Sequence, residues 1–89
     1  MPYQVEFKKS AYKTFASLSV HDRRRIGRAI EALKNDPFPE GNVKKLHDGV
    51  YRIRVGNFRI VYDVINEKLM IYVLAIGDRK EIYKLLKRL

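Results

Sequence analysis

Eighty-nine residues make one small domain, since a chain of this size buries only about 60–65% of its unfolded surface in a single modest core. No run approaches the roughly 20 apolar residues that cross a bilayer, and Lys8, Lys9 and Lys13 interrupt any signal-like stretch. Disulfides and thiolate metal sites are excluded because there is no cysteine, a reducing compartment fits, and nineteen Lys and Arg against ten acids, a net charge of +9, call for a polyanionic partner: nucleic acid, an acidic protein or anionic lipid.

Residues 3–8 alternate, with Tyr3, Val5 and Phe7 against Gln4, Glu6 and Lys8, and predict a first strand. Ser10 is the expected cap of a short helix whose apolar stripe is Ala11, Tyr12, Phe15 and Leu18. Ser19, with Asp22 three residues on, is the expected cap of a second helix reaching about Lys34. Ile26, Ala29, Ile30 and Leu33 form its buried face. Arg23, Arg24, Arg25 and Arg28 point elsewhere, as a solvated surface or as a dock for a large RNA. His21, at this helix start, reads as structural or inert. Asn35 to Gly41, with Pro37 and Pro39, stops the helix.

A basic loop from Val43 to Gly49 then leads into the most informative stretch, Tyr51 to Tyr62. It predicts two strands joined by a Gly56-Asn57 turn, with apolar residues alternating with arginines. Val55 then pairs with Phe58, and Arg54 faces Arg59, with Arg52 on the same side. Like charges placed opposite each other on a sheet cost up to about 1 kcal/mol. Such a cluster implies an absent anion, and a phosphate backbone is the natural candidate.

The third strand continues to about Ile65, and Asn66-Glu67 turns the chain. Leu69 to Ile76 predicts a fourth strand, apolar on both faces and therefore central. Gly77 ends it, and Arg79 to Leu89 forms a final helix with Ile82, Leu85, Leu86 and Leu89 on one side. The expected order is βααβββα, an α+β domain over 1–89 with a mostly antiparallel sheet. A two-residue turn at Asn66-Glu67 would set Asn57 opposite Ile76 and carry Arg79 to the end of the sheet where Arg54 and Arg59 stand.

Three groups could carry chemistry. Arg52, Arg54 and Arg59 make a phosphate-gripping surface. Arg79 and Tyr83 share one helix face; Arg79 could stabilise charge on a phosphate during cleavage, and Tyr83 could stack on a base or handle a proton. The loop Lys44-Lys45-Leu46-His47-Asp48 offers Lys44, Lys45 and His47 for RNA contact, and histidine is a residue type suited to proton transfer near neutrality. There is no carboxylate cluster for a catalytic metal and no Gly-rich phosphate loop. Phosphodiester chemistry here is expected without metal or other cofactor, which favours RNA, whose own 2′-hydroxyl is the nucleophile.

The run Tyr51-Arg52-Ile53-Arg54-Val55-Gly56-Asn57-Phe58-Arg59-Ile60-Val61-Tyr62, with Ile76-Gly77-Asp78-Arg79 and Tyr83, resembles the RelE toxins of bacterial and archaeal toxin–antitoxin systems. Val43-Lys44-Lys45-Leu46 also fits, and the resemblance covers essentially the whole chain. It implies a small sheet packed by helices, related to microbial ribonucleases. It implies metal-free cleavage of mRNA in the ribosomal A site, in the cytoplasm, leaving a 2′,3′-cyclic phosphate. It implies a RelB-like antitoxin as partner, beside ribosome and mRNA, and no membrane. By position, Arg59 and Arg79 match arginines that stabilise the transition state, and Tyr83 matches a tyrosine at the substrate base. Arg52 and Arg54 stand where the best-known members carry lysines. An arginine does not give up its proton, so an Arg54 in the position of a general base leaves proton transfer to Tyr83, His47 or water. A ParE-like gyrase inhibitor and a catalytically inactive RNA- or antitoxin-binding module are the competing readings.

Overall fold

The computed structural model describes residues 2–87. Strand β1 (Gln4–Phe7) is followed by helices α1 (Lys9–Ser17) and α2 (Val20–Leu33). Strands β2 (Val43–His47), β3 (Val50–Val55), β4 (Phe58–Ile65) and β5 (Met70–Asp78) come next, and helix α3 (Arg79–Lys87) closes the chain. The sheet order is β1-β5-β4-β3-β2. β1 runs parallel to β5, and every other neighbouring pair is antiparallel. The α+β class, the helical hairpin and the mostly antiparallel sheet are as expected.

The two faces of the sheet bear different loads. The helical hairpin covers one face, and Ile26, Ile30 and Leu33 of α2 join Ile53, Ile60, Tyr62, Ile71 and Val73 in the main core. Tyr62 is fully buried and its hydroxyl donates to the Pro37 carbonyl at 2.8 Å. Burial, then neighbouring Tyr51 and Asp36, pushes its phenol above the ordinary tyrosine range. Among the described residues the other face carries α3 alone, through a small cluster of Val50, Val61 and Ile82 flanked by Leu46, Leu74, Ala75 and Leu86. The rest of that face is left for the arginines.

Ser19 caps α2 as expected, its side chain accepting from the Asp22 N–H at 3.2 Å. Ser10 does not cap α1. The helix starts two residues earlier, from an extended Lys8 with no side-chain cap. The ring of Phe7 packs against Tyr12 and Phe15 at centroid distances of 5.7 and 5.6 Å. This aromatic corner, rather than a capping hydroxyl, turns the strand into the helix.

Three further corrections concern the sheet. The stretch expected as a basic loop is strand β2, which pairs with β3 at the edge. The sheet therefore has five strands, and the order is βααββββα. The turn after β4 is a 3-10 turn over Asn66–Lys68 closed by Leu69 in the left-handed region (φ 49°), so it uses more residues than a two-residue hairpin. Ile60, not Asn57, consequently faces Ile76, and Arg59 faces Gly77. β5 runs through Gly77 to Asp78, and α3 follows at once. The end of the expected final helix, including Leu89, lies outside the described residues.

Two bulges serve the α3 face. The β2–β3 register shifts between Lys45 and His47, and the β4–β5 register shifts between Val61 and Tyr62. The residues skipped in the pairing are Leu46 and Leu74, and both pack in the small cluster beneath α3. Each bulge adds a leucine to the seat of the helix.

Candidate nucleic-acid interface

The β3–β4 hairpin sets the register of the site. Gly56 takes φ +60° at the first turn position, and Asn57 keeps a negative φ, the pattern that a tight two-residue turn beginning with Gly prefers. Val55 then faces Phe58 and Arg54 faces Arg59, as expected from the sequence. The ring-bearing side of this hairpin packs into the main core, so Arg52, Arg54 and Arg59 share the opposite face. Lys44 stands across from Arg52 in the β2–β3 ladder.

Helix α3 supplies the wall. Asp78 accepts a hydrogen bond from the Glu81 N–H at 2.8 Å, which caps the helix start. Ile82, 2% exposed, then anchors the helix on Val50 and Val61. Arg79 and Tyr83, three and one residues before and after that anchor, line a cleft of about 490 Å³ with Lys44, Leu46, Arg52, Arg54, Arg59, Ile82 and Leu86. Four guanidinium groups and the Lys44 ammonium thus border one cavity, beside the apolar side chains of Leu46, Ile82 and Leu86. The ring of Tyr83 is largely exposed, with the Lys87 ammonium 4.8 Å from its centroid.

The electrostatics are unfavourable without a ligand. Burial first, then Arg59 and Arg54, holds the Arg52 guanidinium below its ordinary value. Guanidinium remains the charged form across the physiological range all the same. Among the described residues the ion pairs join Lys34 to Glu31 and Lys45 to Asp48, and neither touches the cleft. No group of three or more His, Cys, Asp or Glu gathers among the described residues. The charge that this cleft can stabilise is therefore negative charge brought by a ligand, through guanidinium donors aimed at it.

Of the residues singled out from the sequence, Lys44, Arg52, Arg54, Arg59, Arg79 and Tyr83 meet in the cleft. Lys45 and His47 do not line it. Lys45 pairs with Tyr51, whose ring lies against the main core, and its ammonium reaches Asp48 at 3.6 Å. His47 is exposed at the far end of β2, beyond the bulge. Besides the guanidinium groups, Lys44 and Tyr83 are the cleft residues with N–H or O–H donors on their side chains. Sequence reasoning missed a second cleft of about 520 Å³, which shares Arg54, Arg59 and Arg79 and adds Gly56, Asn57, Asp78 and Lys80. The signal was present in Asp78-Arg79-Lys80-Glu81, an acid three residues before a glutamate at a helix start, and the expected register already carried Arg79 to the Arg54 and Arg59 end of the sheet; what was missed is Asp78 as a lining group.

Residues 4–83 match the family model described as ParE toxin of the type II toxin–antitoxin system. A protein named as toxin RelE1 in Methanocaldococcus jannaschii is 33% identical over 88 residues, spanning 94% of this chain and 98% of its own. The chain belongs to the RelE family of toxins. The mRNA interferase toxin RelE of Escherichia coli K12 is 28% identical over 87 residues, spanning 93% of this chain and 92% of its own. The RelE toxin fold recurs in the crystal structure of the archaeal RelE–RelB complex from Pyrococcus horikoshii, with a TM-score of 0.81, 29% identity, and coverage of 89% of this chain and 97% of that one. This RelE-family chain is therefore a toxin of the type II toxin–antitoxin class, and its arginine cleft is set in the sheet shared by those relatives.

Proposed function

We propose that this toxin arrests translation by cutting mRNA in the ribosomal A site, in the cytoplasm, and that a RelB-like antitoxin restrains it. The reading is carried by the convergence of Arg52, Arg54, Arg59 and Arg79, from two strands and a helix, on one cleft beside Tyr83. The 2′-oxygen attacks the adjacent phosphorus, the bond to the 5′-oxygen breaks, and a 2′,3′-cyclic phosphate and a 5′-hydroxyl remain. Arg59 and Arg79 neutralise the phosphorane, because guanidinium donors placed where charge develops stabilise the transition state more than the ground state. Arg54 opposes Arg59 on the same floor and shares that load, while Arg52 and Lys44 hold the flanking backbone. Tyr83 stacks on a base at the rim. The proton leaving the 2′-oxygen passes to water, since no guanidinium accepts it, and the departing 5′-oxygen takes a proton from the Lys44 ammonium, the Tyr83 hydroxyl or water.

The deciding test is a translating cell-free extract dosed with the purified protein, with mRNA 5′ ends mapped by primer extension. Cuts at codon-periodic positions are expected only on messages under translation. Arg79→Ala should lower the cutting rate by at least about 100-fold, the usual cost of removing one oxyanion donor, while the protein stays folded. The ParE description of the matching family model gives one competitor substance. If no cuts form and DNA gyrase supercoiling is blocked instead, the nuclease reading fails.

A further inference from the structure

The two clefts meet at Arg54, Arg59 and Arg79 and differ beyond them. The first adds Lys44 and Arg52 and has no carboxylate in its lining. The second adds Lys80, Asn57 and Gly56, whose turn the Arg25 guanidinium covers from the α2 side, and it places the carboxylate of Asp78 among the cations. A phosphate offers acceptors alone, so a carboxylate in its site repels it. A nucleobase edge offers donors and acceptors together.

Asp78 is free to act on such an edge. Its Oδ1 accepts from the Glu81 N–H at 2.8 Å, which fixes the orientation of the carboxylate. Although Arg54, Arg59, Arg79 and Lys80 line the same cavity, the ion pairs among the described residues do not include Asp78. Asp78 is exposed, so its carboxylate is within reach of a ligand. The cleft is therefore built as an acceptor flanked by donors: the carboxylate for an N–H, and Lys80 with the Asn57 amide for ring nitrogens and carbonyls.

We infer that this second cleft reads a base of the bound strand, next to the phosphate held by the shared arginines, and selects bases that carry an exocyclic amino group. The carboxylate of Asp78 accepts from that amino group, as acidic side chains accept from cytosine N4. Uracil presents a carbonyl oxygen at the same place, and its lone pairs repel the carboxylate. Discrimination of this kind is strong because the wrong base leaves the polar group unpaired. The claim that the occupant is RNA rests on the nuclease reading, and the base preference is testable apart from it.

Cytosine and uracil have the same ring and differ where Asp78 acts. The probes are trimers of 2′-deoxycytidine and of 2′-deoxyuridine, which lack the 2′-hydroxyl and cannot be cut. Binding to the full-length protein is followed by NMR titration of backbone amides. The cytidine trimer is expected to bind about tenfold more tightly than the uridine trimer, the size of one charge-assisted hydrogen bond, with shifts at Asn57, Asp78 and Lys80. Asp78→Asn keeps an oxygen to cap α3 but adds an amide donor that suits the uracil carbonyl, so the ratio should fall to about one. Equal affinities for the two trimers in the wild-type protein would overturn the inference, and so would a ratio that Asp78→Asn leaves unchanged. Codon-periodic cutting together with equal trimer affinities would sink the base pocket and keep the nuclease. A cytidine preference without cutting would keep the pocket and sink the nuclease.

Discussion

Arg54 and Arg59 are cross-strand partners, in a hairpin that gains nothing from having both positive. Neither has a carboxylate partner among the described residues, and Arg52 adds a third charge on the same face. The arrangement is a stability cost of order 1 kcal/mol held for an anion. Arg54→Glu reverses it by placing a carboxylate opposite Arg59. The folded protein should gain up to about 1 kcal/mol, which raises Tm by about 4–8 °C in a domain of this size. The same change should abolish binding of the deoxycytidine trimer. Thermal melts and titrations of one preparation check both halves, and a destabilised Arg54→Glu would mean that the arginines are not in conflict. Arg54 was legible in the sequence because the turn dipeptide sets its partner two residues away along each strand. Lys45 and His47 were not. Sequence neighbours of Lys44 they remain, but alternation and the bulge turn them from the cleft, and a run of basic residues does not announce which of its members faces inward.

At the scale of elements, α2 and α3 illustrate two grades of anchoring. α2 buries Ile26, Ile30 and Leu33 in the main core, and its periodicity and Ser19 cap were readable residue by residue. Strand β2 was hidden because edge strands carry charges that discourage pairing with other chains, and Lys44-Lys45 reads equally as a loop. The β4–β5 register was missed for a related reason: the left-handed Leu69 and the Leu74 bulge depend on tertiary packing and leave no local mark. α3 rests on a small cluster with Ile82 as its buried side chain. Ile82→Ala should cost about 3 kcal/mol. Because the helical hairpin lies on the other face, the loss should be local, with amide exchange accelerated across α3 and little changed in α2. RNA affinity should fall although no cleft cation has been altered, since Arg79 and Tyr83 leave with the helix. Hydrogen-exchange mass spectrometry separates this from global unfolding, which would accelerate α2 to the same extent.

Over the whole molecule the charge of +9 divides between surfaces of different character. The cleft cations lie on the α3 face of the sheet, whereas the arginines of α2 lie beyond the opposite face. These do not behave alike. Arg23 donates to the Ala16 carbonyl at 3.1 Å and helps join the two helices. The Arg25 guanidinium rests against the Gly56 turn, where a Cβ would collide with it. Arg24 and Arg28 are exposed, with no ion pair among the described residues. If they dock on a large RNA, they release counter-ions only when that RNA is present. Short single strands in the cleft should show a log K against log salt slope of about −3 for four phosphate-class contacts. Intact ribosomes should show a steeper slope. The double variant Arg24→Gln/Arg28→Gln should flatten the ribosome slope by about one to two, at close to one per lost contact, and leave trimer affinity unchanged because the cleft is on the far side of the sheet. An unaltered ribosome slope would assign that helix face to solvation, and an altered trimer affinity would show that the two basic surfaces are one.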